Sequence, residues 1–491
     1  MTSERRVRLH PQNRKILELD GRPLVLLACT EHYGAVMNRP FDYRTYLDDT
    51  AARGLTLTRL FTLFRELQSA QNPYSTCKPE SVDYVSPYER TGPGAACDGL
   101  PKFDLDRPNP EFYARLAEFL TLAEERGIVV EVVLLSNTYA PDVWALNPLH
   151  PANNISGTEE ILWPEYMSCR HPELHRRQLE HVRRIVEGTR DFPNIIYEIC
   201  NEPGGSFPGM EGVPDPTEVD EWQRRIAEAI RECDHAGEER HLVAGQQAFL
   251  WGPFTQHSDG SFDEMPLDIV NVHPLPGTPL RGRTYDMGTF MSGELKVAEL
   301  RDYCLAAWEE GRPLNMDEDN VASRFTDETG WTIHRKRAWV TLLCGAHYDM
   351  IDFSIHARLP RGTHESRAGL RAPMGFLAGA MRSMNLVASA PLPDLVASAP
   401  DETLAVAFGA GGSDSLIYLC DARESGDGGC GDTIEGSLVL DLPDGQHVAR
   451  CMSPATGQYS PGITIGGGRV EVSLPRFRHD LALRIDGGQT G

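Results

Sequence analysis

Between residues 24 and 384 the chain alternates eight times between a short apolar run and an amphipathic stretch of helical period. The apolar runs are mostly unbroken by polar residues, as in Ile128–Leu135 (IVVEVVLL), which suits parallel strands covered on both faces. Eight strand–helix repeats predict a (β/α)8 barrel, an α/β fold of the TIM type. A doubly wound open sheet is the other architecture such alternation allows, but no G-x-G-x-x-G run follows a strand to support it. The expected strands are Leu24–Cys29, Leu55–Phe61, Ile128–Leu135, Asn194–Cys200, His241–Gly245, Leu267–His273, Pro313–Glu318 and His347–Ile355. A hairpin turning at Asp20-Gly21 precedes them.

Near residue 390 the pattern changes to short alternating strands with Gly/Asp turns, which predicts a small all-β sandwich domain. The expected division is 1–388 for the barrel and 389–491 for the sandwich. The second part lacks an aromatic strip, which favours a packing role over sugar binding. Between the second strand and the next helix, residues 65–110 are rich in Pro, Gly, Ser and Tyr and predict a long loop walling the cleft. Its Tyr74, Tyr84 and Tyr88 either stack on a ligand or pack the loop on itself.

Two strand ends carry the chemistry. Asn194–Pro203 (NIIYEICNEP) leaves an apolar strand through Asn201, Glu202 and Pro203, and Pro203 biases Glu202 away from helix. Arg312–Asn320 (RPLNMDEDN) ends a second strand in carboxylates. A retaining glycosidase needs two carboxyl groups about 5 Å apart, one acting as acid/base and one as nucleophile. With room for two further strands between them, the stretches resemble clan A of the glycoside hydrolases, the superfamily that includes family 5. There an Asn-Glu pair ends the fourth strand and a glutamate ends the seventh.

The resemblance implies Glu202 as acid/base and Glu318 as nucleophile in a double displacement on an O-glycosidic bond. It implies that Arg59 holds the nucleophile ionised, that Asn201 binds the sugar 2-hydroxyl, and that His273 hydrogen-bonds the glutamates. Glu318 is chosen over Asp317 and Asp319 by the family spacing from Pro313 and by strand alternation, which turns one parity inward. His32, Tyr33, Trp251 and Tyr139 stand at expected rim positions and are further sugar-contact candidates. The chain departs from many family 5 members at the third strand end, with Ser136–Tyr139 in place of a histidine. It departs again at the eighth, with Phe353, Ser354 and His356 in place of a tryptophan. The sugar is therefore not readable; long rim loops favour a pocket for a short oligosaccharide or glycoside, and the resemblance implies a β-linked one.

No cofactor is implied, and no HExxH or comparable metal set occurs. A metal-dependent barrel hydrolase would want clustered histidines, whereas His32, His273 and His347 are scattered; a carbohydrate-binding barrel without turnover is the other competing class. With 71 acidic against 47 basic residues, nucleic acid and anionic membrane are disfavoured partners. No run of 18 apolar residues suggests a membrane span. MTSERRVRLHPQ has no apolar core of a secretory signal, and 11 cysteines without a CxxC pair favour a reducing cytoplasm. Oligomeric state leaves no mark in the sequence.

Overall fold

The computed structural model describes residues 6–67, 75–205, 210–250, 255–256 and 265–487. Seven parallel strands form one curled sheet, in spatial order Leu57–Phe61, Val129–Ser136, Ile195–Asn201, Leu242–Gly245, Ile269–Asn271, Leu314–Met316 and His347–Tyr348. The eighth place is taken by residues 25–30. Ala28 N donates to Tyr348 O (2.9 Å), Thr30 N to Met350 O (2.9 Å), and on the other side Thr56 N donates to Leu27 O (3.0 Å). The first and last strands of the sheet are thus joined, though through isolated bridges rather than a full ladder.

Helices cover the outside, among them Tyr43–Ala52, Pro110–Glu125, Pro172–Thr189, Pro216–Cys233, Val297–Trp308 and Glu328–Leu343. Their starts are written locally. Asp42, Asn109, Asp215 and Asp327 each accept a backbone N–H of the first turn, and Asp215 with Glu218 completes a capping box.

Inside the barrel the strands are apolar at the bottom and charged at the top. Leu26, Ala28, Leu57, Val129, Ile196, Leu242, Ala244 and Ile269 fill the floor. The N-terminal strands Arg8–Leu9, Leu17–Leu19 and Arg22–Leu24 plug it with Val7, Leu9, Leu17 and Leu19. Two residues further along, on the same face of each strand, stand Arg59, Glu131, Glu198 and Asn271, all fully buried.

The 65–110 segment is not wholly loop. Tyr88–Ala95 and Pro101–Pro108 form an antiparallel hairpin. Tyr84 and Tyr88 are buried, so they pack the segment on itself. Tyr74 lies outside the described residues.

The C-terminal part is an antiparallel sheet whose strands hydrogen-bond into one continuous network. Its long strand Ser437–Met452 shifts register between Leu442 and Gln446, where a strand bends. The enclosed core is aliphatic: Ile417, Leu419, Leu438, Leu440, Leu483 and Ile485 are among its members. Against the barrel, Trp339 stacks on Tyr418 with centroids 5.0 Å apart. Arg335 pairs with Asp480 at 2.7 Å, and Glu424 accepts the backbone N–H groups of Leu295 and Lys296 at the start of Val297–Trp308. All eleven cysteines are free. No helix among the described residues is long and apolar enough to cross a membrane.

Candidate active site

The site is built at the carboxyl ends of the strands around one guanidinium. Arg59 sits mid-strand in LTRLF, with no exposure. Its Nη2 and Nε fork onto Glu198 (2.6–3.1 Å), Nη2 also donates to Asn201 Oδ1 (3.0 Å), and Nη1 donates to Glu318 Oε2 (2.8 Å). Asp317 Oδ2 lies 3.1 Å from Nη2 and Glu131 Oε2 3.6 Å from Nε. The Tyr33 ring closes the remaining face at 4.4 Å from the guanidinium carbon.

From Arg59 a ring of polar contacts runs through Glu202 and Asp317, with Glu318 attached to it at Arg59. Asn201 Nδ2 donates to Tyr139 Oη (2.8 Å), and Tyr139 Oη donates to Glu202 Oε2 (2.6 Å). Glu202 Oε1 lies 3.0 Å from His273 Nδ1, and His273 Nε2 lies 3.3 Å from Asp317 Oδ2, which returns to Arg59. Oxygen atoms of Glu202 and Glu318 and a ring nitrogen of His273 all lie within 4.8 Å of one another. Asn320 Nδ2 fills the second oxygen of Glu318 at 2.8 Å. The backbone is strained where it delivers these groups: Tyr33, Tyr139 and Glu202 have φ of 53°, 53° and 49°, a left-handed region costly for side-chain-bearing residues. Glu202 therefore does not take the extended conformation that Pro203 favours; Asn137 holds it by donating from Nδ2 to Glu202 O at 3.0 Å.

Several expectations are corrected here. Alternation does not separate Asp317 from Glu318, because the strand ends at Met316 and the chain turns at 317–318. Both side chains reach Arg59, while Asp319 turns outward to Arg337 at 2.6 Å. Arg59 does not hold Glu318 low. Burial pushes Glu318 up to about 7, with Glu202 and Asp317 adding to it against His273 and Arg59. The reason is that one arginine serves several carboxylates. Tyr33 is fully buried beneath Arg59 and cannot lie along a sugar. His32 is half-buried, with Nδ1 2.7 Å from Ser75 Oγ and its ring edge-on to Phe353; burial keeps it neutral, at about 4. His347 lies inside the barrel, where Nδ1 accepts from Leu26 N (3.0 Å), so His32, His273 and His347 are not brought together. Trp251 lies outside the described residues.

The structure also brings in acids the sequence reading passed over. Glu131 and Glu198 interrupt apolar strands, VVEVVLLS and IIYEICN, as Arg59 interrupts LTRLF. A charge inside an apolar strand needs a partner, so one arginine and two glutamates in three such strands signal a buried cluster. Oxygens of Glu131, Glu198 and Asp317 lie within 4.8 Å of one another. Burial and then Glu198 push Glu131 well above the carboxylate range, and burial pushes Glu198 to about 7. In both acid groups a basic side chain, Arg59 or His273, lies against the oxygens.

A family model described as a domain of unknown function (DUF6298) matches residues 81–206, a stretch that includes Glu131, Glu198 and Glu202. No curated protein matches the chain in sequence. Similar solved structures include one described as a glycoside hydrolase, with TM-score 0.62 and 12% identity over 100% of this chain and 98% of that one. Another is a family 5 glycoside hydrolase from Bacteroides vulgatus ATCC 8482, with TM-score 0.61 and 13% identity over 99% and 93%. A putative glycoside hydrolase from the same organism has TM-score 0.58 and 13% identity over 99% and 83%. The likeness is one of fold: a glycoside-hydrolase-like barrel with a separate β-rich domain.

Proposed function

We propose that this protein is a retaining glycoside hydrolase that cleaves β-linked O-glycosidic bonds of short oligosaccharides or glycosides. The observation that carries the reading is the approach of Glu202 and Glu318, whose carboxylate oxygens lie within 4.8 Å across the carboxyl-end rim of the barrel. So close a pair supports double displacement, which uses carboxyl groups about 5 Å apart, over inversion, which needs a wider gap for water.

In this reading Glu318 attacks the anomeric carbon while Glu202 protonates the leaving oxygen. Glu202 then takes a proton from water as the glycosyl ester is hydrolysed. Asn320 and Arg59 aim Glu318, each holding one oxygen. Tyr139 and Asn201, on the other side of the ring, stand where the sugar 2-hydroxyl would exchange with their mutual hydrogen bond. The similarity in fold to proteins described as glycoside hydrolases supports the class of reaction and leaves the sugar open.

The test is a panel of aryl glycosides with the product anomer followed by NMR. Release of aglycone with retained configuration is expected. Inverted product, or turnover undiminished in Glu318→Gln, would remove the proposal. Azide should restore part of the rate of Glu318→Gly and yield a product of inverted configuration.

A further inference from the structure

His273 is 3% exposed, and each of its ring nitrogens faces a carboxylate: Nδ1 faces Glu202 Oε1 at 3.0 Å and Nε2 faces Asp317 Oδ2 at 3.3 Å. An ionised carboxylate only accepts, so a ring nitrogen turned to one must carry hydrogen; two such nitrogens make an imidazolium. The charged groups around the ring come from three strands. Glu198 and Glu202 belong to Ile195–Asn201 and its exit, Asp317 and Glu318 to the exit of Leu314–Met316, and Arg59 to Leu57–Phe61. The Phe249 ring meets it edge-on with centroids 5.7 Å apart. Four acids against one arginine make a field that retains a proton on the imidazole.

We propose that Asp317 is a positioning residue that makes His273 the resting store of the proton which Glu202 delivers to the leaving group. The inference deepens the glycosidase reading and rests on it for its kinetic part. At rest the proton shared between Glu202 and His273 sits on His273, whose two ring nitrogens both carry hydrogen. Movement of the Nδ1 hydrogen to Oε1 leaves Glu202 neutral and His273 neutral, with its Nε2–H still donated to Asp317. As the glycosidic C–O bond breaks and the bond from Glu318 to the anomeric carbon forms, that proton passes to the leaving oxygen. In the second half, water joins the anomeric carbon as the Glu318 ester bond breaks. Its proton goes to Glu202 and back to Nδ1, so atoms and charge balance over the cycle.

The electrostatics agree with the geometry. Burial pulls His273 down, but Asp317 and then Glu318 outweigh it and hold the imidazole well above its ordinary value. Burial pushes Asp317 up, but His273 and Arg59 outweigh it and hold the carboxyl below its ordinary value. Asp317 is positioned for this by the turn that puts two consecutive acids on one side of the chain.

The experiment is NMR of 15N-histidine-labelled protein, with the His273 signals assigned by their loss in His273→Gln. In the wild type both ring nitrogens are expected to carry hydrogen at neutral pH; in Asp317→Asn one is expected to be bare. Kinetics on the same pair supply a readout that general loss of structure does not give. Asp317→Asn should lose about 100-fold in kcat/KM on a glycoside with a poor leaving group, the scale of lost acid catalysis. It should keep most of its rate on one whose aglycone leaves without protonation. A neutral wild-type ring, an unmoved titration in Asp317→Asn, or equal losses on both substrates would overturn the proposal. If the wild type cleaves no glycoside, the functional reading fails while the NMR result still decides whether Asp317 sets the charge of His273.

Discussion

The two cores of this molecule are built from opposite materials. The C-terminal sheet encloses leucines and isoleucines, such as Ile417, Leu438, Leu483 and Ile485. The upper barrel encloses Arg59 with Glu131, Glu198, Asp317 and Glu318, groups whose desolvation costs several kcal/mol each unless paired. A chain selected only to fold would have filled both with aliphatic side chains. Charge retained at such cost at the carboxyl rim of a barrel points to chemistry there, and the aliphatic sheet to support. The two are mechanically joined. Asp480 and Tyr418 of the sheet hold Arg335 and Trp339 of Glu328–Leu343, and the same helix carries Arg337, which fixes Asp319 beside Glu318.

The sharpest way to break this contrast is at the rim. Glu202→Gln and Glu318→Gln should each lose about 10³-fold or more in kcat with little change in melting temperature. A stability loss matching the activity loss would make these acids structural. The converse test lies in the sheet: Leu483→Ala should cost about 2–5 kcal/mol in denaturant unfolding. Turnover per folded molecule should stay unchanged, because Leu483 touches neither rim glutamate. If kcat falls as well, the sheet shapes the site and does not merely support it.

A smaller effect is expected from pH. Because Glu318 is raised to about 7, it is protonated below that value and ionises above it. On the acid side kcat/KM should fall about tenfold per pH unit, the slope of a single required ionisation. An acid limb near the ordinary carboxylate value would show that Arg59 serves Glu318 alone. The smallest effect concerns Glu131, which burial and Glu198 raise well above the carboxylate range. The folded state then binds a proton that the unfolded state has released, so the native state loses stability as pH rises past the unfolded value. Glu131→Gln removes that linkage. Its melting temperature should match the wild type near pH 4 and exceed it increasingly toward neutral pH.

Residues whose meaning is local were readable in the chain. The strand–helix alternation and the Asp20-Gly21 turn (φ of 53° and 69°) depend on neighbours in sequence, and the strands of the parallel sheet begin within a few residues of their expected places. Glu202 and Glu318 were singled out by what precedes them in their own strands. Their approach to within 4.8 Å, and the gathering of Arg59, Asn201, Tyr139 and His273 around them, depend on barrel closure, which joins residues far apart in the chain. The parity rule that sets Asp317 aside holds only while the strand continues, and where it stops is decided by the turn after Met316. Tyr33 follows a strand end in sequence, yet the fold lays its ring on the buried face of Arg59.

By itself, then, the order of residues determined the periodicities, the caps and which strand ends carry acids, because hydrophobic period and turn chemistry act over a few residues. Tertiary structure alone decided how one guanidinium and one imidazole are divided among the acids of the rim. Charge sharing at 3 Å in a dry interior depends on distances that no spacing along the chain encodes.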